Sequence, residues 1–141
     1  MIATALFFFT SNPVWINNLE TAKAQAKKEN KLILLNFSGS DWCIPCIRLH
    51  QEVFDNETFN NYAASNLVLV NADFPRRKKN QLTKEQQALN DALAERYNSK
   101  GSFPLTILLD SDGNKIKVWD DYYKDGVENF IREVREASEK L

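Results

Sequence analysis

The chain has 141 residues, 43% of them hydrophobic and nine of them Phe, which is enough to bury the core of one domain. Its 18 basic and 19 acidic residues leave a net charge of −1, which argues against a nucleic-acid binder. With only four Gly and four Pro it is not a disordered or low-complexity chain.

At the N-terminus Ile2 to Phe9 is apolar, and Thr10-Ser11-Asn12 follows. Two readings stand for residues 1–13: a signal-peptide remnant lacking its positive leader, or an apolar arm packed on the domain that occupies 14–141. The run is too short to span a membrane. A remnant would place the mature protein in a bacterial periplasm or at the cell envelope; a cytoplasmic location is the alternative.

Trp15 to Glu29 reads as an amphipathic helix with Trp15, Leu19, Ala22 and Ala26 inward. Leu32 to Phe37 is a short buried strand, and Ser38-Gly39-Ser40-Asp41 is turn chemistry. A helix then runs from Cys43 to about Val53. A second short helix spans Asn56 or Glu57 to Ala64, and Leu67 to Ala72 is a second buried strand ending at Asp73. Pro75-Arg76-Arg77-Lys78-Lys79-Asn80-Gln81 is the one concentrated basic stretch; it reads as a solvated loop, or as a patch that steers an acidic partner. Thr83 to Tyr97 is helical behind a Thr83/Gln86 capping box, with Ala88, Leu89, Ala92, Leu93 and Tyr97 on one face. Pro104 to Leu109 and Ile116 to Trp119 form an antiparallel pair around the Ser111–Asn114 turn. A closing helix from about Gly126 to Leu141 turns Val127, Phe130, Ile131 and Val134 inward.

The two cysteines stand three apart in Trp42-Cys43-Ile44-Pro45-Cys46. The setting of strand, turn, Cys-x-x-Cys and helix is that of a redox dithiol. The nucleophile of such chemistry is a thiolate. The unpaired N–H groups and positive dipole end of a helix N-terminus stabilise one at Cys43. Cys46 is a helical neighbour three residues on, placed to resolve a mixed disulfide. Pro45 falls in the first turn, where its missing N–H costs little. Ile44 puts an apolar side chain beside the nucleophile, either to meet a substrate or to pack under Trp42. Trp42 reads as a packing lid. Zinc ligation and a purely structural disulfide are the alternatives. The first needs more ligands than two Cys and His50 supply, and the second restrains only a tiny loop. His50, two turns and roughly 10 Å along the axis from Cys43, reads as a core or surface histidine rather than a catalytic partner.

These residues resemble the thioredoxin superfamily. The matching pieces are Leu32–Phe37, the Cys43/Cys46 motif, and Phe103-Pro104-Leu105-Thr106-Ile107-Leu108-Leu109-Asp110 with Asp112-Gly113. The stretch from Phe37 to Cys43 is similar to envelope members resembling the C-terminal domain of the thiol-disulfide interchange protein. The resemblance implies an α/β, thioredoxin-like fold, a central mixed β-sheet flanked by helices on both faces. It implies a thiol-disulfide oxidoreductase that reduces or isomerises protein disulfides through Cys43 and Cys46, without cofactor or metal. Trp42, Ile44, Pro45, Phe103 and Pro104 would line the substrate groove, with Pro104 in the cis position facing the cysteines. Its partners would be protein disulfide substrates and a redox protein as electron donor, and the chain would act as a monomer. The other readings are a non-catalytic peptide-binding module and an envelope redox relay. Two departures stand out: Asn36 where the family carries a buried acid, and Ile47 where a lysine is common. Asp41, two residues before Cys43, is expected to oppose thiolate formation, which favours a reductant over a strong oxidant.

Overall fold

The computed structural model describes residues 13–141; the apolar stretch 2–9 lies outside the described residues. Their chain order is β1 (Trp15–Ile16), α1 (Leu19–Glu29), β2 (Leu32–Ser38), α2 (Ile44–Leu49), α3 (Glu57–Asn66), β3 (Leu67–Asp73), α4 (Lys84–Tyr97), β4 (Leu105–Leu109), β5 (Lys115–Asp120) and α5 (Val127–Glu139). The sheet order is β1-β3-β2-β4-β5. β3 runs parallel to both β1 and β2, whereas β4 is antiparallel to both β2 and β5. The mixed sheet expected from the sequence is therefore the one formed.

β2 is the central strand and is buried along nearly its whole length, which is why it reads as a continuous apolar run. Its alternate residues serve two cores. Ile33, Leu35 and Phe37 pack with Leu19, Ala22 and Ala26 of α1 and Tyr97 of α4. Leu34 packs on the opposite face with Leu49 of α2, Phe59 of α3 and Phe130 of α5. The period of two puts Asn36 on this second face, toward the cysteine-bearing helix.

Three elements differ from the sequence expectation. Trp15 does not start a helix; it pairs with Leu69 as an edge strand. The helix begins only after Asn18, whose side chain caps it by accepting from the Thr21 N–H at 3.0 Å. In α4 the inward face is rotated: Ala88, Leu89 and Ala92 are exposed, while Asn90 is buried. The reason is polar. Asn90 Nδ2 donates to the Asp73 carbonyl at 2.9 Å, so an amide occupies a position that periodicity assigns to an apolar residue. Thr83 Oγ1 caps the helix through the Gln86 N–H, but the Gln86 side chain donates to Asn17 O and Asn90 Oδ1 instead of closing a capping box. Finally, α2 ends at Leu49 and continues as a wider turn over His50–Phe54, closed by Asp55 N–H donating to His50 O at 2.7 Å. Such wider turns are rare and occur mostly as single turns within helices, frequently at functional sites.

Candidate active site

Cys43 is the N-cap of α2, and its sulfur accepts from the Cys46 N–H at 3.3 Å. Pro45 occupies the first turn, as the missing-donor argument requires. Cys43 and Cys46 are joined by a disulfide, with their Cα atoms 5.3 Å apart. Both are well covered: Cys43 retains 5% of its surface and Cys46 none. The asymmetry has the expected sense, although Cys43 is less open than a helix-start position alone implies.

Around the disulfide the apolar positions differ in role. Ile44 is 67% exposed, so it does not pack under Trp42. Trp42 is fixed from three sides. Its Nε1–H donates to Phe74 O at 2.7 Å, its ring meets the edge of Phe103, and it lies so close over Gly39 that a Cβ there would overlap the indole. The Phe103–Pro104 peptide bond is cis. Pro104 is buried and Phe103 half-buried, with Phe103 wedged between Trp42 and Phe74. The sequence-selected residues Trp42, Cys43, Cys46, Phe103 and Pro104 thus gather at one end of the sheet.

Two loops at this end hold each other. From the β2–α2 loop, Ser40 N–H donates to Asp73 Oδ1 at 2.9 Å. In return Asp41 accepts from the N–H groups of Arg76 and Arg77 at 2.9 and 3.0 Å and from Asn80 Nδ2 at 3.0 Å. These donors hold the Asp41 pKa down at about 2, led by the Arg76 N–H, then Asn80, with the Arg77 charge adding to them. Asp41 is therefore a clamp for the basic loop, and it stays ionised two residues before Cys43.

His50, read from the sequence as a core or surface histidine, is half-buried at the end of α2. Measured from Cys43 it is two turns away, but it stands four residues after Cys46, one turn along the same face. Its backbone N–H donates to Cys46 O, and its Nε2 lies 3.1 Å from Asn36 Oδ1. The ring packs between Trp15 and Phe54. Burial pushes its pKa below the usual histidine value, against weaker opposing pulls from Asp55 and Asp73. The i, i+4 spacing from Cys46 was the available signal.

Beside His50 lies a cavity of about 300 Å³, also lined by Ser38, Asp55 and Asn71. The Asn71 Oδ1 atom is buried with no hydrogen-bond partner among the described residues.

Comparison with known proteins agrees with this geometry. A family described as Thioredoxin-like matches residues 14–111. The disulfide bond reductase DsbH of Chlamydia pneumoniae is 33% identical over 106 residues, covering 75% of this chain and 61% of that protein. The thioredoxin-related protein DsbJ of the same organism is 27% identical over 103 residues, 73% of this chain and 29% of its own length. The matched part is thus less than two thirds of either relative. Among solved structures, that of the DsbH oxidoreductase superposes with a TM-score of 0.81 at 28% identity, covering 90% of this chain and 85% of that one. The oxidised C-terminal domain of DsbD from Neisseria meningitidis shares the fold, with a TM-score of 0.56 at 21% identity over 83% of this chain and 90% of that one.

Proposed function

Because the chain belongs to the thioredoxin-like family, we propose that it is a thiol-disulfide oxidoreductase working as a disulfide reductase, with Cys43 as nucleophile and Cys46 as resolving thiol. The single observation that carries this reading is the Cys43–Cys46 disulfide at the N-terminus of α2.

In the reduced protein the Cys43 thiolate attacks one sulfur of a substrate disulfide and expels the other as a thiolate. Cys46 then loses its proton, attacks the Cys43 sulfur and releases the second substrate thiol. Two electrons pass to the substrate and the Cys43–Cys46 disulfide remains. A separate dithiol protein returns the electrons. Ile44 and Trp42 flank the nucleophile as apolar contacts. The Phe103 backbone N–H and C=O have no intrachain hydrogen bond among the described residues, which leaves them for an extended substrate segment.

The resolving step needs a proton acceptor near a fully buried Cys46. Asn36 cannot be one, since an amide has no accessible basic form. Its amide orientation is fixed, because Nδ2 donates to Thr106 Oγ1 at 3.0 Å and to Leu105 O at 3.4 Å. Oδ1 therefore faces His50, and His50 Nε2 must carry the hydrogen. The neutral ring then keeps Nδ1 as its basic nitrogen. In this reading His50 holds the Cys46 proton and passes it to solvent through the adjoining cavity.

The reduced protein should reduce insulin disulfides in the presence of dithiothreitol, and Cys43→Ser should abolish this. A non-catalytic peptide-binding module would bind the peptide without accelerating its reduction. No helix among the described residues is long and apolar enough to cross a membrane. Export to a periplasm or envelope is part of the proposal, supported by the apolar N-terminal stretch and by the restriction of cysteine to the motif, where no stray thiol can misoxidise. We assign it a monomeric state.

A further inference from the structure

The four cations Arg76, Arg77, Lys78 and Lys79 are consecutive in a chain whose overall charge is −1. All four are exposed. Among the described residues none of them forms a salt bridge. A solvated loop of that kind needs no fixed position, yet this one is held in place. Asp41 accepts from two of its backbone N–H groups and from Asn80. Gln81 Nε2 donates to Arg77 O at 3.2 Å, and residues 78–80 form a tight helical turn. The Arg76 guanidinium lies over the Trp42 ring, 3.6 Å from its centroid, a cation–π contact that ties the loop to the residue preceding Cys43. Asp41 offsets at most one of the four charges. The result is an ordered positive lip joined to Trp42, the residue that precedes Cys43.

We propose that this lip is a docking surface for a partner protein whose disulfide is flanked by acidic residues. The inference rests on the reading of Cys43 as the attacking thiol. Its physics is that of a fixed charge cluster beside a reacting atom, which raises the encounter rate with a complementary surface and slows it with a like-charged one. Fixing the loop beforehand removes the ordering cost that a mobile tail would pay on binding.

The test uses the reduced full chain and one disulfide-bonded peptide scaffold, with two Glu, two Gln or two Lys beside its cysteines. Rate constants are measured at low salt and at 1 M NaCl, with a small neutral disulfide alongside. The Glu peptide should react about tenfold faster than the Gln peptide, and the Lys peptide slower still. The order should collapse at 1 M, where charges are screened beyond about 3 Å. Arg77→Gln/Lys78→Gln/Lys79→Gln should flatten the order. Lys78→Glu/Lys79→Glu should reverse it, a gain that a misfolded protein cannot produce. Equal rates for the three peptides, with the small disulfide still reduced, would overturn the docking surface and leave the chemistry standing. A flat peptide order together with lysine-dependent binding to phosphatidylglycerol vesicles would reassign the lip to a lipid surface. Failure to reduce even the small disulfide would sink both readings.

Discussion

His50 Nε2 donates to Asn36 Oδ1 across 3.1 Å, joining the helix that carries Cys46 to the central strand of the sheet. The bond fixes the tautomer, because the other end of the Asn36 amide is tied to Thr106 and Leu105. An amide that cannot titrate thereby orients an imidazole that can. The groups facing this ring are Asn36 from β2, Trp15 from β1, Phe54 from the turn after α2, and the charges of Asp55 and Asp73.

Resolution of the mixed disulfide should therefore follow an ionisation below the ordinary histidine pKa of about 6.5. Single-turnover release of substrate from the Cys43 mixed disulfide, followed against pH, measures it. His50→Gln should remove that limb and slow release by about 100-fold, the low end for a positioned base. An unchanged profile in the folded variant would free His50 of this role.

Asn36→Asp should shift the same limb upward, since a carboxylate facing Nε2–H favours the imidazolium. Nuclear magnetic resonance of the one histidine reads the shift directly. A lowered or unmoved His50 pKa would contradict the contact as described.

Thiol identity is separable by alkylation. With the protein reduced and reagent limiting at mildly acidic pH, label should appear on Cys43 well before Cys46. Cys46→Ser should accumulate mixed disulfides with substrate, because the resolving attack is missing. Preferential labelling of Cys46 would reverse the two roles.

Asp41→Ala removes the acceptor for Arg76, Arg77 and Asn80 and should release the basic loop. Limited proteolysis should then cut between Arg76 and Lys79 faster than in the parent. Proteolysis at the parental rate would mean that the Trp42–Arg76 contact and the Gln81 and 78–80 turn bonds hold the loop without Asp41.

Stability should fall as pH drops, in two windows. The folded pKa of His50 is lowered by burial, so protonation favours the unfolded chain. Stability is then full above the unfolded value of about 6.5 and decreases below it. Asp41, held at about 2 against its usual 3.8, contributes above 3.8 and loses its contribution as pH falls toward 2. Melting temperature should decline between pH 7 and 5 and again below 4. A rise between pH 7 and 5 would contradict neutral burial of His50.

Much of this was legible in the sequence. The buried strands around Leu34 and Leu69, the helix start at Cys43 and the closing helix through Phe130 follow from periodicity and end signals, because each buries an apolar face. What escaped were positions set by polar contacts across the fold. Asn90 turns inward only because the Asp73 carbonyl needs a donor, and Asp41 serves a loop 35 residues away. Trp15 looked helical because a two-residue edge strand has no period to read. His50 packs as the core histidine expected, but its tie to Asn36 crosses from helix to sheet and has no local signal.

The most direct measurement is the reduction potential of the Cys43–Cys46 couple, by equilibration of the full chain against glutathione and dithiothreitol buffers. A thioredoxin-like reductant has a value of about −270 mV, and that is the result expected here. A value above about −150 mV would make the chain a disulfide donor and contradict the assignment.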